Sequence, residues 1–448
     1  MTTKNSKKIT VGFVALGCPK NMVDSERMLA LITQAGFVIT QNADNADVVV
    51  INTCGFIAPA KAEAIEAIRR AVGRKRKGKV RKVIVAGCLP QRLGKELLKE
   101  TGEIDAVIGL QQRDNIADII QTTLTADKII TSVTQNPHIP CDDRTRLRIT
   151  PRHWAYLRIS DGCNKKCSFC TIPAIRGKTR SKPKHLVLAE ASELVSSGAV
   201  ELNIIAQDIT AYGQDLKTKD TLPKLLIELS KISRLRWIRL LYLYPTGITD
   251  RLIETIADCG KIVHYLDIPL QHINPQILRA MRRPHSKDRI YRLIENLRTR
   301  LPDCVLRTTL IVGFPGETDA RFNELLEFVK WARFDNLGCF TFYPEEGTPA
   351  AKFPHQVPDR IKKHRLEQIM LTQQQIAFDK NKKRIGDTLT CLVDSIGKGR
   401  TAKGRFFGQA PEIDPLCIIR NCSAKPGTFI QTKITGTKNY DLLCKQIH

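Results

Sequence analysis

The stretch Cys163-Asn164-Lys165-Lys166-Cys167-Ser168-Phe169-Cys170 offers three thiols at C-x3-C-x2-C spacing and no fourth. It follows directly on a strand-like run, Trp154 to Ile159. A cubane iron–sulfur cluster ordinarily takes four cysteine thiolates, so a tight loop offering three leaves one iron open to another ligand. Open coordination positions are where bound metals do chemistry. A structural zinc loop is the plainer alternative, but it needs a second pair of ligands close by, and the next cysteine is Cys259.

Downstream, five more strand-like runs follow: Glu201 to Ile205, Trp237 to Tyr242, Val263 to Ile268, Val305 to Val312 and Leu337 to Phe342. Helical patterns separate them, as in Lys184 to Ser197, with Gly198 as its stop, and Thr318 to Trp331. Six β/α units predict an open or partial barrel with its chemistry at the C-terminal mouths of the strands. The cysteine loop is expected at that mouth.

Upstream, from Val11 to about Asp127, apolar runs again alternate with helical patterns: Val11 to Leu16, Val48 to Asn52, Val83 to Ala86 and a weaker Ala106 to Ile108. This predicts an α/β domain on a parallel sheet. Each of the first three strands runs into a cysteine, Cys18, Cys54 and Cys88. Parallel strands bring their C-terminal ends to one edge, where open α/β sheets place their sites. A single cysteine there reads as a buried thiol; three in successive units point to a second metal site.

Residues near Thr131 to Arg152 read as a linker, and a lysine-rich helix from Asp359 to about Lys383 ends the barrel. Beyond it, Thr388 to Val393, Gly404 to Phe407, Leu416 to Ile419 and Thr428 to Ile434 are short strands among Gly, Pro and Lys, the pattern of a small β-barrel. The expected division is 8–127, a linker at 128–148, 149–381 and 382–448. No internal repeat or low-complexity tract interrupts it.

Composition narrows the setting. No apolar run approaches the roughly 20 residues that span a bilayer, and Met1 to Thr10 is polar and basic with no secretory signal pattern. A cytoplasmic protein without a membrane partner is expected. In that compartment thiols stay reduced, so fourteen cysteines argue for metal binding over disulfides. The net charge of +26 favours contact with a polyanion. Its densest patch, Arg69 to Lys82, holds nine basic residues in fourteen and reads either as a solvated helix end or as a phosphate contact. The C-terminal piece from Lys382 carries twelve basic residues against five acidic ones.

The C-x3-C-x2-C loop on a β/α barrel resembles the radical SAM superfamily. The resemblance implies a [4Fe–4S] cluster on Cys163, Cys167 and Cys170 whose open iron binds S-adenosylmethionine and cleaves it to a 5′-deoxyadenosyl radical. It places Phe169 near the adenine, and the turn Ile311-Val312-Gly313-Phe314-Pro315-Gly316-Glu317-Thr318, through Gly313, beside the nucleoside. Taken with the thiol-bearing α/β domain and a small C-terminal barrel of TRAM type, the whole layout resembles the methylthiotransferases. That family implies an auxiliary [4Fe–4S] cluster on Cys18, Cys54 and Cys88, one SAM giving the methyl group and another the radical.

Four segments are similar to the branch that acts on an aspartate β-carbon of the twelfth small-subunit ribosomal protein. They are Leu16-Gly17-Cys18-Pro19-Lys20-Asn21 with Val23-Asp24-Ser25-Glu26; Tyr343-Pro344-Glu345-Glu346-Gly347-Thr348-Pro349-Ala350-Ala351; Ile205-Ala206-Gln207-Asp208; and Gln409-Ala410-Pro411-Glu412-Ile413-Asp414. The resemblance implies a ribosomal protein substrate, free or on the ribosome, an electron donor and RNA contact. The alternatives are the same chemistry on a tRNA adenosine beside the anticodon, and a non-catalytic iron–sulfur or zinc protein that binds RNA. Pro415 stands where that branch usually has Gly, which bears on how the C-terminal barrel grips its target.

No side chain is expected to act as a catalytic acid or base, and Glu345 and Glu346 are read as shaping the pocket. His153, His264 and His272 lie near strand ends, at the mouth or in the packing. Arg176 and Lys178 are read as meeting an acidic substrate or solvating the surface. Cys141, Cys259, Cys304, Cys339, Cys391, Cys417, Cys422 and Cys444 lack a ligand pattern and are read as small buried hydrophobes.

Overall fold

The computed structural model describes residues 8–135, 142–218 and 220–447, which form two compact units. Cys141, the first seven residues and part of the expected linker lie outside the described residues. The first unit joins residues 1–149 with 160–166 and 170–182. The second joins 150–159, 167–169 and 183–448.

The first unit is built on a six-stranded, all-parallel sheet in the order Val38–Thr40, Thr10–Ala15, Val48–Thr53, Lys82–Gly87, Ala106–Ile108, Ile130–Ser132. Val48–Thr53 is buried at every residue, which is why it reads as an unbroken apolar run. Helices cover both faces and give two cores, one around Ile51, Ile68 and Val85, the other around Val50, Ile84 and Ile120. The edge strands Val38–Thr40 and Ile130–Ser132 are not evident in sequence. The second of them makes the start of the expected linker part of the sheet.

The second unit holds six parallel strands, in spatial order equal to chain order: Trp154–Arg158, Glu201–Ile205, Trp237–Leu240, Ile262–Asp267, Val305–Val312 and Asn336–Thr341. All six were expected, within two residues. The helices of this unit between them bury apolar residues against the sheet, giving the partial barrel. Helix Asp359–Lys383 follows as expected. A closed five-stranded barrel ends the chain in the order Thr388–Ile396, Ala402–Phe406, Cys417–Arg420, Asp441–Gln446, Phe429–Lys438. Closure leaves no exposed sheet edge.

The segment Gln409 to Asp414 turns toward the six-stranded sheet. Tyr156 donates its hydroxyl to Glu412 at 2.8 Å and Tyr265 to Asp414 at 2.6 Å, while Arg405 reaches Glu201 at 2.7 Å. The acids of this segment therefore anchor the small barrel to the strands within its own unit. No helix among the described residues is long and apolar enough to cross a membrane.

Candidate metal centres

The three N-terminal cysteines meet because strand register brings them together. Strands Thr10–Ala15, Val48–Thr53 and Lys82–Gly87 are adjacent, with Ala15 opposite Asn52 and Thr53 opposite Gly87. Cys54 and Cys88 each come one residue past a strand end, and Cys18 three residues past its own. The approach is close enough to dictate glycine. A Cβ on Gly17, at φ +95°, would lie 2.6 Å from Cys54 Cβ, and one on Gly55 would lie 2.9 Å from Leu89 Cα, next to Cys88.

A polar clamp fixes this edge. Asn52 donates through Nδ2 to Asn21 O at 3.1 Å and to Ser25 Oγ at 2.8 Å, and Asn21 returns a bond to Asn52 O at 3.3 Å. Asn21 and Ser25 belong to the segment that follows Cys18, so that segment's polar residues lock helix Pro19–Gln34 to the end of the central strand.

The electrostatics of the trio suit a polynuclear cation. Burial pushes the Cys54 thiol up, and the neighbouring Cys18 adds to the rise. Burial pushes Cys88 up to about 12, against the pull of the Arg176 guanidinium and with Cys18 and Cys54 raising it further. Cys54 and Cys88, both buried, give up their protons only to a strongly cationic centre. Three cysteine sulfurs at one sheet edge are the kind of donor that a [4Fe–4S] cluster takes.

Behind the trio lies a buried charge network that the sequence did not disclose. Arg176, which closes helix Ile172–Arg176, is 1% exposed. It bonds Asp161 at 2.6 Å, Asp24 at 3.0 Å and the Cys88 sulfur at 3.5 Å. The expectation that Arg176 solvates the surface or meets substrate is thus corrected: its charge faces inward. Asp24 also pairs with Arg113 at 3.3 Å; Arg113 pairs with Asp143, and Asp143 with Lys182 at 2.6 Å.

The loop of the second trio leaves a short ribbon, Ser160–Asp161 against Arg180–Ser181. Cys163 N donates to Gly177 O at 3.0 Å, and Asn164 and Thr179 exchange bonds at 3.1 and 3.0 Å. Ile172 N approaches Cys170 Sγ at 3.5 Å. All three thiols of the loop are partly exposed.

In the second unit, Ser168 donates from Oγ to Ala280 O at 2.7 Å and accepts at its carbonyl from Ala350 N at 2.9 Å. Phe169 packs edge-on to Phe314, with ring centroids 6.5 Å apart, in an apolar cluster with Ile277, Met281, Phe342 and Phe353. The loop's aromatic and the 311–318 turn, named separately in the sequence, therefore touch. Gly313 has φ +72°, and a Cβ there would lie 2.2 Å from the Lys362 stem. That side is filled, so no larger residue fits at Gly313. The turn is held by Glu317, which accepts from Gly313 N at 3.0 Å and pairs with Arg365 at 2.9 Å and His272 at 3.3 Å. This buried support was missed because its members lie far apart in sequence.

Other candidates are placed elsewhere. His153 bonds Asp394 of the small barrel at 2.8 Å, and His264 pairs at the surface with Asp303 at 2.6 Å; neither lines the mouth. Cys391, Cys417 and Cys444 are fully buried in the closed barrel, with Cys391 3.2 Å from Thr432 Oγ1 and Cys417 3.2 Å from Gln409 Oε1. In the basic run, Arg70, Arg74, Lys75, Arg76, Arg81 and Lys82 are each ion-paired. Much of its charge is spent on the protein's own carboxylates, which weakens the phosphate reading.

Against known families, residues 10–109 match Uncharacterized protein family UPF0004, residues 157–329 the Radical SAM superfamily and residues 385–447 the TRAM domain. The chain is 43% identical to the ribosomal protein uS12 methylthiotransferase RimO of Citrifermentans bemidjiense over 445 residues, covering 99% of each chain. It is 43% identical to the protein of that name from Geobacter sulfurreducens, covering 98% of this chain and 99% of that one. Among solved structures it is similar in fold to the radical S-adenosylmethionine methyltransferase TsrM of Kitasatospora setae, with TM-score 0.54 and 13% identity, covering 86% of this chain and 81% of that one.

Proposed function

The chain belongs to the RimO methylthiotransferase family of radical SAM enzymes, and we propose that its substrate is an aspartate of ribosomal protein uS12, methylthiolated at the β-carbon. In this reading Cys163, Cys167 and Cys170 hold the cluster that binds SAM, and Cys18, Cys54 and Cys88 hold the auxiliary one. When bound, these groups supply one-electron cleavage of one SAM to a hydrogen-abstracting radical, the sulfur to be inserted, and a methyl group from a second SAM.

The protein's own share is to hold, orient and keep dry. Phe169 and Phe314, in their apolar cluster, offer a hydrophobic face for the nucleoside and exclude water beside it. Glu317 and Arg365 hold the turn whose backbone would meet that nucleoside. No side chain is asked to be an acid or a base, so Glu345 and Glu346 are assigned to pocket shape. The TRAM barrel and the overall charge of +26 favour a target surrounded by RNA phosphates, and the work belongs in the cytoplasm with the ribosome.

The observation that carries the substrate is the 43% identity, over 99% of both chains, to a uS12 methylthiotransferase; the placement of Cys18, Cys54 and Cys88 at one sheet edge supports the chemistry. Intact-mass measurement of uS12 from cells lacking the enzyme tests it. The protein is expected to be lighter by one methylthio substitution. An unchanged uS12 together with loss of a methylthiolated nucleoside would instead establish the tRNA substrate.

A further inference from the structure

Arg176 sits six residues after Cys170, on the same short segment, yet its guanidinium serves the other trio. Its Nη2 lies 3.5 Å from Cys88 Sγ and 3.0 Å from Asp24, and its Nη1 lies 2.6 Å from Asp161. The preceding residue, Ile175, packs on Cys88 and Leu110. Three features make this more than an incidental contact. The charge is permanent and almost fully buried. The planar fork is fixed at both ends by carboxylates, so it cannot swing away. Arg176, Arg113 and Lys182 are matched by Asp161, Asp24 and Asp143, with Asp114 at the more exposed rim beside Arg113. The Nη2 that bonds Asp24 is the same atom that reaches the Cys88 sulfur.

We propose that Arg176 positions the Cys88 thiolate and raises the reduction potential of the auxiliary cluster by donating a charge-assisted hydrogen bond to that ligand sulfur. The proposal rests on the reading that Cys18, Cys54 and Cys88 hold a cluster. Hydrogen bonds and positive charge at cluster sulfurs favour the reduced, more negative form. A neighbouring carboxylate does the reverse. Asp24 and Asp161 therefore temper the effect of Arg176 as well as anchoring it.

The test uses the full chain carrying Cys163→Ala, Cys167→Ala and Cys170→Ala, reconstituted anaerobically so that only the auxiliary site can load, with the midpoint read by EPR-monitored redox titration. Arg176→Gln is expected to keep the iron and move the midpoint negative by a tenfold change in the one-electron equilibrium, about 59 mV. Arg176→Lys should recover part of the shift. Asp24→Asn, which removes a carboxylate from the same guanidinium, should move the midpoint positive. A loaded Arg176→Gln protein with an unmoved midpoint overturns the proposal. Should that variant fail to hold iron, Asp24→Asn decides, and an unmoved or negative midpoint overturns it. If the parent triple variant binds no cluster, the auxiliary site itself is overturned, an outcome distinct from the others.

Discussion

Tyr265, on the fourth strand of the six-stranded sheet, donates its hydroxyl at 2.6 Å to Asp414, on the loop between two strands of the small barrel. Asp414 also accepts from Ala410 N at 2.9 Å and faces Arg307 at 3.6 Å. The loop is thus braced against the strands, and Pro415 extends an internal joint.

Tyr265→Phe leaves Asp414 buried with one donor fewer. The expected cost is about 1–3 kcal/mol, read as a lower urea midpoint at unchanged slope. An unchanged midpoint would mean that the loop is not braced by this bond.

Glu317 and Arg365 are both buried at the turn after strand Val305–Val312. Arg365→Met removes the guanidinium that pairs with the buried Glu317 carboxylate and is expected to destabilise the protein by about 3–5 kcal/mol. Replacing both partners with apolar residues should cost less than the single change, which a double-mutant cycle would measure.

Burial alone would push Asp394 up, but the hydrogen bond from His153 and the Arg405 charge outweigh it and hold the carboxyl below its ordinary 3.8. A depressed acid adds stability that is present above the unfolded value and lost as pH falls through the folded one. Below pH 3.8 the Asp394→Asn protein should therefore lose stability less steeply than the parent, in unfolding midpoints taken as a pH series.

Gly17→Ala places a methyl group against Cys54 at a backbone angle of +95°. Backbone strain of about 1–3 kcal/mol and displacement of Cys54 should lower iron at the auxiliary site and leave SAM cleavage intact. Iron counts and 5′-deoxyadenosine release, measured on the same sample, check both halves.

The two thiol trios should also separate by function. Alanine at Cys163, Cys167 and Cys170 is expected to leave about half the iron and abolish SAM cleavage. Alanine at Cys18, Cys54 and Cys88 should keep cleavage and lose sulfur insertion. Cleavage lost in both would deny the division of labour.

How much of this was legible follows from where the information lies in the chain. The six barrel strands and helix Asp359–Lys383 are long and periodic, so their pattern is local. Val38–Thr40 and Ile130–Ser132 are three-residue edge strands, too short for a period to register. Asp441–Gln446 was missed because its apolar run is only Leu442, Leu443 and Cys444, flanked by charged and amide side chains. The cysteines announced themselves, because each follows a hydrophobic run. Arg176 did not: its partner Asp24 is 152 residues away, and beside Lys178 it looked like one more surface cation. Charge networks closed over such distances leave no local trace.

The register of the three central strands carries one more consequence. Cys18 to Cys54 spans 36 residues and Cys54 to Cys88 spans 34, but neither interval fixes the site. The separation of the thiols is metered by the roughly 4.8 Å between neighbouring strands and by each cysteine's offset from its strand end. Residues added to the covering helices would be tolerated, whereas a single residue inserted between Thr53 and Cys54 would carry that thiol away from Gly17. The sheet is a ruler, and relatives of this chain should vary freely in the intervals while keeping the offsets.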